Sequence, residues 1–139
     1  MNVRFKKLHK AAVTPSYAKP GDAGMDLTAV AMKPTDKYIE YDTGLAFEIP
    51  VGFVGLIFPR SSVSKTDLSL TNCVGVVDSG YRGPIKFRFR RAKDGHIKGY
   101  KAGDRIGQLV IMPYPSIELE EVEELTITDR MMGGFGSTN

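Results

Sequence analysis

Gly75-Val76-Val77-Asp78-Ser79-Gly80-Tyr81-Arg82-Gly83 joins two strand-like apolar runs, and its reading decides the fold. On its left, Cys73-Val74-Gly75-Val76-Val77 is rich in β-branched residues and predicts a buried strand. On its right, Pro84-Ile85-Lys86-Phe87-Arg88-Phe89-Arg90 alternates apolar and basic residues. That period of two predicts a strand with one buried face and one wet face. Asp78-Ser79-Gly80 is turn chemistry, because Asp bonds its own backbone and Gly accepts positive φ. The expectation is a hairpin whose tip offers a carboxylate, an aromatic ring and a guanidinium to one small ligand. The same residues also suit an ordinary surface turn, so the remainder of the chain has to decide.

Working outward, the same punctuation recurs. Val3 and Phe5 alternate with polar neighbours and predict an opening edge strand, and residues 14–22, with Pro15, Pro20 and Gly21, read as loop. Residues 23–30 resume a strand, with Asp26 in an apolar setting. Residues 38–41 and 45–49 flank Asp42-Thr43-Gly44 as a second hairpin-like pair. Residues 52–58 form a strand stopped by Pro59, and residues 60–66 are the one segment given a helical turn. Lys93-Asp94-Gly95-His96 predicts a turn, and Gly103-Asp104-Arg105 leads into a strand over 106–112. Residues 117–120 alternate and then slip phase at Glu121-Val122, which predicts a bulged strand with the acidic run 118–124 on its wet face. Many short strands cut by Gly and Pro predict an all-β sandwich or jelly roll.

Composition narrows the class of function. A chain of 139 residues, 42% hydrophobic and 25% charged, suits one soluble domain. The net charge of +3 is mild and fits a small anionic ligand better than nucleic acid. Cys73 is the only cysteine, so neither an internal disulfide nor a cysteine-based zinc site is available. No apolar run reaches membrane-spanning length and residues 1–10 lack a signal-peptide core, so an intracellular, cytoplasmic location is expected. Ser64-Lys65-Thr66 lacks the glycines of a P-loop, no dinucleotide fingerprint opens a helix, and Ser61 has no obvious His partner. Residues 131–139, with Gly133, Gly134 and Gly136 around Phe135, predict a mobile tail able to close over a ligand. A plain terminus reads equally well from those residues alone.

Five segments then stand in order: Ala23-Gly24-Met25-Asp26-Leu27, Pro59-Arg60-Ser61-Ser62, residues 75–83, Gly103-Asp104-Arg105-Ile106-Gly107-Gln108-Leu109, and Arg130 through residues 133–138. This pattern resembles the trimeric dUTP pyrophosphatases (dUTPases), and it spans residues 23–138. The resemblance implies a distorted jelly-roll or β-clip barrel with at most one short helix. It implies a single domain over 1–130, a lid over 131–139, and a homotrimer with sites shared between subunits. It further implies hydrolysis of dUTP to dUMP and pyrophosphate with Mg²⁺, limiting uracil in DNA and supplying dUMP.

Residue by residue, the resemblance makes Asp78 the general base. Tyr81 packs under the deoxyribose, and Asn72, Gly75 and Val77 belong to the turn that reads uracil. Arg60, Ser61 and Gln108 bind phosphates, Ser62 either adds a phosphate donor or simply occupies space, and Asp26 holds a water of the magnesium shell. Arg130, Phe135, Gly136, Ser137 and Thr138 close the lid. The chemistry is consistent: triphosphate cleavage is mainly positioning and charge neutralisation. Mg²⁺ binds largely through phosphates, so no dense carboxylate cluster is needed. The chain departs from the family pattern at Met25, Ser62, Pro84, Gly107 and Asn139. The related dCTP deaminases use a Glu soon after the third motif, and residues 84–91 contain no acid. A binding protein that holds dUTP as a regulator is the alternative from another class.

Overall fold

The structure, a computed structural model, describes residues 1–92 and 99–134. Among these residues ten strands and one 3₁₀ turn follow in order. They are β1 (Arg4–Lys7), β2 (Met25–Thr28), β3 (Ala31–Pro34), β4 (Ile39–Asp42), β5 (Leu45–Glu48), β6 (Phe53–Phe58), the 3₁₀ turn Ser61–Lys65, β7 (Leu68–Leu70), β8 (Gly75–Val77), β9 (Lys86–Arg91) and β10 (Arg105–Pro113). The first sheet runs β2-β10-β6-β8, the second runs β3-β4-β9-β7, and β1 pairs with β5 in a two-stranded ribbon. All pairings are antiparallel. This is the expected all-β jelly roll, and the single short helical turn falls where Pro59 stops β6. The expected turn at residues 93–96 lies outside the described residues.

The alternating β9 behaves as its sequence requires. Phe87 and Phe89 are fully buried and stack 6.1 Å apart, while Arg88 and Arg90 face outward. They join Tyr41, Leu27, Leu45, Ile106 and Leu109 in one core between the sheets. Tyr41 brings a hydroxyl into that core and satisfies it on the Tyr100 carbonyl at 2.9 Å, as a buried phenol must.

Both expected hairpins are corrected. β8 pairs with β6, whereas β9 lies between β4 and β7 in the other sheet. Likewise β4 pairs with β3 and β9, and β5 with β1. Each pair of apolar runs buries its faces across the core rather than side by side, as sandwich packing favours. The connections are therefore inter-sheet corners, and Thr43 shows how one is held. It is fully buried, donating Oγ1–H to the Ile85 carbonyl at 2.8 Å, while Ile85 N donates to the Leu45 carbonyl at 2.8 Å. The two corners are thus pinned to each other.

The predicted strand over 117–120 is also corrected. Residues 114–130 form no strand, and the bulge sits instead in β10, between Arg105 and Gly107. Alternation at Ile117 and Leu119 records amphipathy, but no strand among the described residues pairs with it; Leu119 is 92% exposed. Two strands had no reading in the sequence: β3, wholly exposed and ending on edge-tolerated Pro34, and the three-residue β7.

Gly107 explains one family departure. A methyl group there would overlap the ring of fully buried Phe87 and lie 2.9 Å from the Phe58 carbonyl oxygen. The space a larger residue needs is filled here by Phe87. Gly107→Ala is expected to destabilise the fold by about 1–3 kcal/mol, the usual cost of overpacking, read from the urea midpoint. An unchanged midpoint would mean that the Phe87 ring yields freely.

Candidate active site

Two clefts gather the candidate residues. The first, about 430 Å³, is walled by β8 and the loop before it on one side and by the start of β9 on the other. Asn72, Gly75, Val77, Asp78 and Tyr81 all line it. Local geometry follows from a tight loop: Cys73 takes a left-handed φ of 59°, and Val74 N donates to the Asn72 carbonyl at 2.6 Å. A non-glycine residue held there is strained, a feature that clusters at ligand sites. Asp78 follows β8 directly and is exposed, and its carbonyl accepts the Tyr81 amide at 3.1 Å. The Tyr81 hydroxyl donates to the Pro84 carbonyl at 3.1 Å. The ring lies so close over Gly83 that any side chain there would collide with it. Pro84 thus serves the turn through its carbonyl, the group that proline retains.

Lys86 and Arg88, from the wet face of β9, also line this cleft, along with Thr71. The alternation showed these side chains to be exposed but not that they border a site. Lys86 Nζ lies 2.8 Å from Glu40 and 3.6 Å from Asp42, and Arg88 Nε reaches the other Glu40 oxygen at 2.9 Å. The Lys86 hydrogen bond, helped by Arg88 and opposed by burial, holds the Glu40 carboxyl below its ordinary range. The same bond raises Lys86, keeping it a cation at the cleft.

The second cleft, about 390 Å³, contains Asp26, Arg60, Ser61 and Gln108. Register places them side by side: Gln108 of β10 lies opposite Asp26 of β2 and opposite Phe58 of β6. Their neighbours Leu27, Leu109 and Ile57 point into the core, so this cleft lies on the outer face of the first sheet. Arg60 Nε donates to one Asp26 oxygen at 2.7 Å and Arg105 Nη1 to the other at 2.9 Å. Arg105, carried in the fourth motif, was not singled out from the sequence. Gln108 Nε2 donates to the Pro59 carbonyl at 3.1 Å. Ser62 lines neither cleft; its hydroxyl lies 3.4 Å from the Tyr100 hydroxyl and 3.5 Å from Arg60 Nη1.

Among the described residues no group of three or more His, Cys, Asp or Glu side chains could cage a metal. Asp26 uses two of its roughly four lone-pair directions on arginines, so a water donating to it still fits. Arg130 is exposed, turned back on the Gly133 carbonyl at 2.9 Å, and joins neither cleft within this chain. Phe135, Gly136, Ser137 and Thr138 lie outside the described residues.

An antiparallel jelly roll with a carboxylate–tyrosine corner and a guanidinium cleft makes this an all-β protein with two polar, cation-lined clefts. The dUTPase family model matches residues 10–139. A deoxyuridine 5'-triphosphate nucleotidohydrolase of Syntrophotalea carbinolica is 41% identical over 99% of this chain and 97% of its own length. The dUTPase of Staphylococcus bacteriophage 80alpha, solved with dUPNHPP, superposes with a TM-score of 0.84 at 29% identity, covering 99% of this chain and 98% of that one. The dUTPase of phage phi11 of S. aureus, whose structure reveals a structural Mg(II) ion, gives 0.74 at 26% identity over 89% of this chain and 98% of its own. The chain belongs to the dUTPase family.

Proposed function

We propose that this protein hydrolyses dUTP to dUMP and pyrophosphate as a homotrimer whose sites are shared between subunits. The observation that carries the reading is the first cleft, where Asp78, Tyr81, Asn72 and Gly75 to Val77 line one concavity. Asp78 takes the proton of a water that attacks the triphosphate, and the bond between the α- and β-phosphates breaks. Tyr81 lies under the deoxyribose and leaves no room for a 2′-hydroxyl. The backbone from 72 to 77 reads the uracil edge, rejecting cytosine by its reversed donor pattern and thymine by its methyl group. Arg60, Ser61 and Gln108 neutralise and orient the phosphates. Mg²⁺, when bound with the triphosphate, would supply charge neutralisation, and Asp26 would help to hold it through water. Arg130, Phe135, Ser137 and Thr138, with the Gly136 backbone, close over the nucleotide as a lid formed by residues 131–139, beyond the domain 1–130.

Two features support the shared site. The strand order puts β2 and β8 at opposite edges of the first sheet, about 14 Å apart at about 4.8 Å per strand. The two clefts share no lining residue, so one chain offers two halves rather than one site. The arm over 114–134 also leaves apolar side chains in water, Met132 97% and Leu125 86% exposed. Such a row suits a neighbouring subunit.

No helix among the described residues is long and apolar enough to cross a membrane, and we place the enzyme inside the cell, acting on free nucleotide. Incubation with Mg²⁺ and each of dUTP, dCTP, dTTP and UTP tests the function. Selective formation of dUMP and pyrophosphate is expected. Conversion of dCTP to a uracil nucleotide, or binding of dUTP without turnover, would overturn it.

A further inference from the structure

We infer that Arg82 is a positioning residue for the substrate turn, anchored from behind by Glu48 of β5 and Arg4 of β1. The inference rests on the proposed roles of Asp78 and Tyr81. Arg82 Nη1 donates to two carbonyls of that turn, Ser79 at 2.6 Å and Tyr81 at 2.9 Å. Its other terminal nitrogen, Nη2, stands 4.0 Å from Glu48 Oε1. The same oxygen accepts a hydrogen bond from Arg4 Nη2, and Arg4 faces Glu48 across the β1–β5 ladder. One carboxylate thus ties a regular ribbon to a corner that has no ladder of its own.

The direction of the guanidinium sets its role apart from phosphate binding. Arg82 lines a separate cleft with Arg4, Lys6 and Glu48, and it does not line the one that holds Asp78 and Tyr81. It therefore grips the turn from the side away from the proposed substrate. The corner between Val77 and Ile85 belongs to no strand, so its shape depends on a few bonds. Those found are the Tyr81 amide to the Asp78 carbonyl, the Tyr81 hydroxyl to the Pro84 carbonyl, and the two from Arg82. Charge-assisted bonds are the stronger kind. Because the Arg82 side chain is 54% exposed, its loss should change stability little. Its effect falls on geometry, and a displacement of about 1 Å at a reacting group can cost about a hundredfold in rate.

The test compares full-length Arg82→Ala, Arg82→Lys and Glu48→Gln with the parent chain. Amide exchange across residues 79–83 of the free protein should quicken in Arg82→Ala and, less, in Glu48→Gln, with melting temperatures nearly unchanged. With dUTP, kcat should fall about 10- to 100-fold in Arg82→Ala while KM moves much less. Lysine keeps the charge but cannot span two carbonyls and a carboxylate, so Arg82→Lys should recover only part. Adding Glu48→Gln to Arg82→Ala should cost nothing further, because Glu48 acts through Arg82. Unchanged exchange overturns the brace, and faster exchange with full kcat overturns the positioning role. A further loss in the double variant removes Glu48 from it. A parent chain inactive on dUTP overturns the proposed function instead, and the exchange comparison still decides the brace.

Discussion

Asp78→Asn should cut turnover of dUTP at least about a hundredfold while leaving its binding measurable. Asparagine has nearly the shape of aspartate and is equally at home in a turn. The backbone bond that closes the corner, from the Tyr81 amide to the Asp78 carbonyl, does not involve the side chain. Tyr81, Arg82 and Pro84 keep their contacts, so the cleft should persist. What disappears is the ability to accept a proton from water, since a neutral amide has no basic oxygen at neutral pH. Positioned general bases contribute about 10²- to 10⁴-fold, and kcat should fall by that range with KM within a few-fold. Pyrophosphate release gives the rate, and calorimetry with a non-hydrolysable dUTP analogue gives the affinity. Turnover within a few-fold of the parent would remove Asp78 from the role of base.

Why some of this was legible in the sequence and some was not comes down to the range of each interaction. β6, β9 and β10 were visible because their patterns are local: the Phe87/Phe89 alternation, the Pro59 stop, and the turn at Gly103 with its φ of 93°. Pairing is not local. Residues 75–77 and 86–91 are neighbours in sequence, yet β8 finds its partner in β6 and β9 finds its partners in β4 and β7. A short polar link is equally compatible with a hairpin and with a corner between sheets. Ile117 and Leu119 show the same limit from the other side, since alternation cannot say whether a partner strand exists.

The candidate site divides along the same line. The five motifs named Asp26, Arg60, Asp78, Tyr81 and Gln108, because motif chemistry is written in short segments. That these residues fall into two clefts follows only from strand order. So does the second arginine on Asp26: Arg105 and Asp26 are 79 positions apart and meet because β10 pairs with β2. Arg82 was visible as a residue of the turn, but its grip on two carbonyls and its link to Glu48 are tertiary.

Mixing two inactive variants should restore activity, and this is the sharpest consequence of the divided site. Asp78→Asn leaves the second cleft intact, and Arg60→Ala leaves the first intact. Arg60 is held by Asp26 at 2.7 Å and only weakly by Ser62. Its removal takes a cation from the outer face of the first sheet without touching the corner at Asp78. Each variant alone should be nearly inactive, one without its base and the other without a main phosphate ligand. If each site draws its Asp78 half from one subunit and its Arg60 half from another, mixed trimers contain some sites with both halves intact. Random assortment of equal amounts makes about one site in four complete, as expected for a closed ring of equivalent interfaces. The measurement is dUTP turnover after the two variants are unfolded together and refolded, against each refolded alone. Recovery near a quarter of parental activity supports a site built between chains. If both halves of each site came from the same chain, no mixture could complete one, and the refolded mixture would stay as inactive as its components.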